Sequence, residues 1–207
     1  MRALIATLLF ACAAGASIAA SADDFTDLRG VRIGMNAAEM PTEGYRDLAC
    51  ETPEKKALSA WSEWRSCAAD AAGLRRLRAD YDQLGEETTK IAGHPVDLTF
   101  SFGDDGRLTE ILIATDNHAR PFMRKKAYLF GEQAKRRYGD INWTCSNEAP
   151  AAGEEAIGPT FVKERCEKKL GDREVAVEMR LFRMQGSEAK DFVSETRVSI
   201  RWSPSKT

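Results

Sequence analysis

Two histidines, His94 and His118, and five cysteines carry most of the reactive chemistry available to this 207-residue chain. An imidazole beside a hydroxyl or thiol nucleophile would act as the general base of a hydrolase. Neither histidine has a paired nucleophile or an orienting carboxylate in a recognisable arrangement, and His94 sits between Gly93 and Pro95 at the start of a strand pattern. No GxSxG, HExxH, phosphate loop, dinucleotide fingerprint or EF-hand loop occurs. The acid pairs Asp104-Asp105, Glu86-Glu87 and Glu154-Glu155 are adjacent, so their side chains diverge, and they fall where turns and loops favour solvated charge. No catalytic residue and no cofactor is therefore expected. A small exported hydrolase using His94 or His118 stands as the alternative to a binding protein.

The cysteines point to a compartment. Arg2 followed by an alanine-rich apolar stretch and Ala20-Ser21-Ala22 has the form of an export leader over residues 1–22, with cleavage before Asp23. Removing it takes away Cys12 and leaves Cys50, Cys67, Cys145 and Cys166, an even set that predicts two disulfides in an exported chain. Three pairings are possible, and the local one, Cys50 with Cys67 and Cys145 with Cys166, staples each half separately. Neither pair has CxxC spacing, and only the two histidines could join them, so no metal site is expected. The expected location is periplasmic or secreted, with no transmembrane segment in the mature chain.

Charge defines the surfaces that could meet a partner. Thirty basic and 32 acidic residues give a net charge of -2, which offers nothing to nucleic acid as a whole. Locally, residues 118–138 carry Arg120, Arg124, Lys125, Lys126, Lys135, Arg136 and Arg137 against Glu132. Met123, Ala127, Phe130, Ala134 and Tyr138 recur at helical spacing there, and Phe122 and Leu129 widen the stripe. One long helix is predicted. Projection at 100° per residue places Arg124, Lys125, Lys135 and Arg136 opposite that stripe, facing water, anionic envelope lipid or an acidic protein, with Lys126 and Arg137 near it. Trp61 and Trp64, on a helix expected to begin at Thr52-Pro53-Glu54, are a second candidate binding surface. The loop 146–159 is a third.

The elements that must hold these residues are mainly strands. Val96, Leu98, Phe100 and Phe102 alternate with polar residues, Gly103 to Gly106 supplies a turn, and residues 108–115 return the chain as a hairpin. Residues 73–81 make it a three-stranded meander. Residues 161–167, 173–184 and 193–202 read as three more strands, the second with Val175, Val177, Met179 and Leu181 in strict alternation. Asn36 with Glu39 three residues on is a capping box opening a short helix, and residues 41–50 read as irregular. The expectation is an α+β fold with antiparallel sheet packed on one long helix, as a single domain over 23–207 or two helix-plus-meander halves, 23–117 and 118–207.

The run Gly34-Met35-Asn36-Ala37-Ala38-Glu39-Met40 resembles the opening of two groups of small exported bacterial proteins. These are the β-lactamase-inhibitor-like proteins and the small lipoprotein of the outer-membrane β-barrel assembly machine. The resemblance covers seven residues. It implies a helix-then-antiparallel-sheet unit, sometimes duplicated, and a function in binding other proteins.

Overall fold

A computed structural model describes residues 26–82, 85, 88–188 and 190–204. The leader, its cleavage site, Glu86-Glu87 and the last three residues lie outside the described residues. Strand β4 (His94–Phe102) pairs with β5 (Leu108–Thr115) through Val96↔Thr115, Leu98↔Ile113 and Phe100↔Ile111. Val96, Leu98, Phe100 and Phe102 are all buried on one face. At the turn, Gly106 takes φ 82°, and a Cβ there would lie 3.2 Å from the Trp64 ring, so glycine is needed for conformation and for space.

The hairpin sits inside one antiparallel sheet. Its main path is β1 (Tyr45–Cys50), β2 (Arg75–Tyr81), β4, β5, β10 (Phe192–Trp202), β9 (Arg173–Met184), β8 (Val162–Leu170) and β6 (Thr144–Asn147). Two short strands flank it: β3 (Lys90–Ile91) pairs with β4, and β7 (Glu154–Glu155) with β9. Pairing of β5 with β10 joins the early and late strands into a continuous surface. Both disulfides form as the local pairing, Cys50 with Cys67 and Cys145 with Cys166. None of the described helices is long and apolar enough to cross a membrane.

The expected antiparallel sheet on one long helix does not form; the protein is mostly β-sheet. The predicted helix over residues 118–138 is two pieces, α1 (Pro121–Arg124) and α2 (Ala127–Arg137), broken where Lys126 leaves helical backbone at φ -103°, ψ 4°. Eleven residues at 1.5 Å rise make α2 about 16 Å long. Eight strands at a spacing of about 4.8 Å make a sheet roughly 34 Å across, so α2 covers only part of it.

Two layers share the work. Over β9 and β10, α2 lays down Ala127, Phe130, Gly131 and Ala134, and Thr196 Oγ1 donates to the Ala127 carbonyl at 2.8 Å. Buried Lys168 donates to the Tyr138 and Gly139 carbonyls at 2.6 and 2.9 Å, satisfying the helix's C-terminal acceptors. Over the early strands the cover is irregular chain. Leu28, Val31 and Ile33 lead into a 3-10 turn, Ala37–Glu39, closed by the expected capping box.

Three further sequence expectations change. Residues 41–50 contain β1, whose burial does not alternate because a bulge between Arg46 and Ala49 holds Asp47 at φ 53°. No helix begins at Thr52: Lys55 N–H closes a tight turn on the Thr52 carbonyl at 3.0 Å with Lys55 at φ 45°, and Cys50 and Leu58 donate to the Lys56 and Leu48 carbonyls, folding the chain back along β1. The helical part is Trp61–Ser66, a 3-10 helix.

Candidate functional site

Basic side chains around α1 and α2 divide into engaged and open groups. Lys135 is one of the engaged. Its ammonium lies 2.8 Å from Glu132 and 3.0 Å from Glu164, with only 16 % of the side chain exposed. Burial alone would lower the Lys135 pKa; the two carboxylates outweigh it and raise it. Arg124 is half-buried with its guanidinium 5.3 Å from the centre of the Phe192 ring. Of the four cations expected on the solvent face, Lys125 and Arg136 are exposed there, whereas Arg124 and Lys135 serve packing and pairing. Lys126, expected near the apolar stripe, is exposed because the helix break rotates it outward. Arg137 is exposed too, with Nη2 donating to the Thr26 carbonyl at 2.8 Å.

Phe122 and Leu129 reverse their expected placement. Counted from the sequence as part of the buried stripe, they are 65 % and 38 % exposed. In α2, Leu129 lies about 130° from the centre of the Ala127, Phe130 and Ala134 face, next to Arg136. Phe122 and Leu129 are thus exposed on the same segment as Arg120, Lys125, Lys126 and Arg136, four exposed cations that have no ion pair among the described residues. A surface of this kind places apolar groups and positive charge against the same partner.

The other sequence candidates lie elsewhere. Trp61 and Trp64 are each 3 % exposed. Trp61 packs edge-on against Tyr45 and Phe100 and donates from Nε1 to the Pro41 carbonyl at 2.9 Å, so neither ring is open to a ligand. His94 is buried beside Phe130, ring centroids 5.7 Å apart. Burial lowers its pKa, the Gln133 side chain opposes that with a hydrogen bond, and Lys126 adds to the lowering. His118 is exposed, its backbone N–H bonded to Asp116 Oδ1 at 2.7 Å. Thr115, near His94, accepts at its hydroxyl from Thr196 N at 2.9 Å. No nucleophile–base pair forms around either imidazole among the described residues.

Metal chemistry finds no better footing. The described residues with metal-ligand proximity are Cys145, Glu164 and Cys166, and both sulfurs are bonded to each other. The loop 146–159 is tied down at Glu154, which meets Lys163 at 3.2 Å, and at β7. Asp27, unremarked in the sequence, is buried with its carboxylate 3.0 Å from Arg173 Nε and accepting from Ile33 N at 2.8 Å. Burial raises its pKa, against the lowering by the Ile33 N–H and the Arg173 charge.

Beside α2 runs a cleft of about 700 Å³. It opens between the helix, the segment 26–29 and the β3–β4 turn, with Ile113 of β5 and Val198 of β10 as its floor. No family model, no curated protein and no solved structure matches this chain.

Proposed function

We propose that this is an exported, non-catalytic envelope protein that docks on an anionic lipid surface through the outer side of α1 and α2. One observation carries the reading: one short segment exposes both Phe122, at 65 %, with Leu129, and Arg120, Lys125, Lys126 and Arg136, cations without an ion pair among the described residues. Two disulfides in the chain, and no described helix able to span a membrane, support an extracytoplasmic location and peripheral contact.

The magnitudes suit reversible attachment. Each cation near an anionic leaflet contributes about 1 kcal/mol, and burying the open part of Phe122 adds about 1–2 kcal/mol. A total of roughly 5–6 kcal/mol corresponds to a dissociation constant of about 0.1 mM on the molar scale. Sedimentation with phosphatidylglycerol vesicles tests it. Binding is expected to phosphatidylglycerol, not to phosphatidylcholine, and to fade in about 1 M salt, where the Debye length is about 3 Å. Lys125→Glu with Lys126→Glu, and separately Phe122→Ser, should each weaken it. Salt-insensitive binding, or none at millimolar lipid, refutes the lipid reading. Crosslinking at residue 125 to an envelope protein, in the absence of vesicle binding, would assign the surface to a protein partner instead.

A further inference from the structure

Strand β6 ends the path of the sheet, and it buries nothing: Thr144, Cys145, Ser146 and Asn147 are all exposed. No apolar contact from these four residues ties the strand to the core. What holds it is a short ladder on β8, from Thr144↔Glu167 to Asn147↔Glu164, together with the Cys145–Cys166 disulfide. The ladder is extended by Glu148, whose N–H donates to the Lys163 carbonyl at 2.8 Å and whose exposed carboxylate meets Lys163 Nζ at 3.3 Å. Hydrogen bonds and ion pairs at an open edge exchange with water and contribute little net stability, whereas every residue fixed in the strand loses backbone freedom. The disulfide therefore decides whether β6 stays in the sheet.

The chain on either side is anchored independently of the bridge. Upstream, Trp143 Nε1 donates to the Gly139 carbonyl at 2.7 Å, and Lys168 Nζ lies 5.6 Å from the centre of the Trp143 ring. Downstream, Glu154 meets Lys163 at 3.2 Å and β7 pairs with β9. Release of β6 is thereby confined between Trp143 and Glu154. The two sulfurs also differ in access, since Cys145 is exposed and Cys166 is 0 % exposed. The second bridge offers neither property: Cys50 and Cys67 are buried in the core with Trp61 and Trp64.

We propose that Cys145–Cys166 is a site of thiol–disulfide exchange with a dithiol, and that its reduction releases β6 from the sheet edge while the other strands keep their pairing. A thiolate of the dithiol attacks Cys145 Sγ, a new S–S bond forms there, and the bond to Cys166 breaks. Cys166 leaves as a thiolate, with Lys135 Nζ 4.0 Å from its sulfur, and takes a proton from water. Its thiol then has the Glu164 carboxylate beside it as an acceptor. The second thiol of the reagent gives up its proton and attacks the reagent's own sulfur in the mixed disulfide, which frees Cys145 and closes the reagent to a cyclic disulfide. Two electrons and two protons pass to the protein, and the step reverses on reoxidation.

Two measurements on the oxidised mature protein test this. Glutathione, a monothiol, should leave a mixed disulfide on Cys145, read by peptide mapping. Limited treatment with dithiothreitol, followed by hydrogen exchange, should speed exchange over residues 144–148 at least about tenfold, the equivalent of about one net hydrogen bond. Exchange in β4, β5, β9 and β10 should stay as it was, and reoxidation should restore the slow rates at 144–148. Cys145→Ser with Cys166→Ser should show the same fast exchange there without any reductant. A glutathione adduct on Cys166, or first on Cys50 or Cys67, overturns the proposal. So does slow exchange at 144–148 that survives reduction or the double substitution, or protection lost from β4, β5 and β10 together with β6. No vesicle enters these measurements, so their failure leaves the docking surface of α1 and α2 untouched.

Discussion

Gly131 sets how closely α2 approaches the sheet, and replacing it with alanine separates two opposing effects. Alanine favours a helix interior over glycine by about 1 kcal/mol. Against that, a Cβ at 131 would fall well inside contact distance of Met179 Cγ and Sδ and 3.3 Å from Val177 Cγ1. Overpacking of this kind costs about 1–3 kcal/mol. The net expectation for Gly131→Ala is a loss of up to about 2 kcal/mol. Met179→Ala removes the obstructing atoms and alone costs about 2–5 kcal/mol through the cavity it leaves. In that background Gly131→Ala no longer meets Met179, so the helix term dominates and the substitution should stabilise by about 1 kcal/mol. The sign should therefore change between backgrounds, a coupling of 1–3 kcal/mol in order of magnitude. Guanidinium unfolding of the oxidised protein, comparing midpoints at constant slope, resolves this. If Gly131→Ala stabilises both backgrounds equally, α2 does not lie on Met179 and the cleft wall is misplaced.

Other expectations concern the buried charge, the staples and the aromatic layer. The raised pKa of Asp27 means that the folded chain holds this proton more tightly than the unfolded chain, so its contribution is present at acidic pH and lost as pH rises through the folded pKa. Thermal unfolding of wild type against Asp27→Asn from pH 4 to pH 7 should show wild type losing ground as pH rises; the opposite slope would mean that Arg173 outweighs burial. Cys145 is exposed on β6, whereas Cys50 and Cys67 are buried, so limited thiol treatment with peptide mapping should open Cys145–Cys166 first. Each bridge should contribute about 3 kcal/mol by loop entropy. Trp61→Ala should cost about 3–5 kcal/mol in unfolding free energy while leaving vesicle binding by the folded fraction unchanged, and a selective loss of binding would restore Trp61 as a contact residue.

The parts legible from sequence were those with local rules. Alternation from Val96 to Phe102 and the Gly103–Gly106 turn gave the hairpin, strict alternation gave β9, and even cysteine parity with short spacing gave both disulfides. Strand β1 was hidden because its bulge destroys the period of two. The helix break was hidden because Met123, Ala127, Phe130 and Ala134 keep helical spacing straight through Lys125 and Lys126, and the break is a backbone event without a glycine or proline to mark it. Outward placement of Phe122 and Leu129 was legible in the projection at 100° per residue, which sets both nearer Lys125 and Arg136 than the buried stripe. The cleft draws on residues from 26 to 198, and no local pattern brings Ile113, Phe130 and Val198 together.

Backbone hydrogen exchange with and without phosphatidylglycerol vesicles tests directly, segment by segment, whether the outer side of α1 and α2 is the contact surface proposed. Slowed exchange should be confined to residues 120–137, should disappear with phosphatidylcholine, and should be reduced in Phe122→Ser. Slowing confined to loop 146–159 or to the edge strand β1, with 120–137 unchanged, would contradict the account.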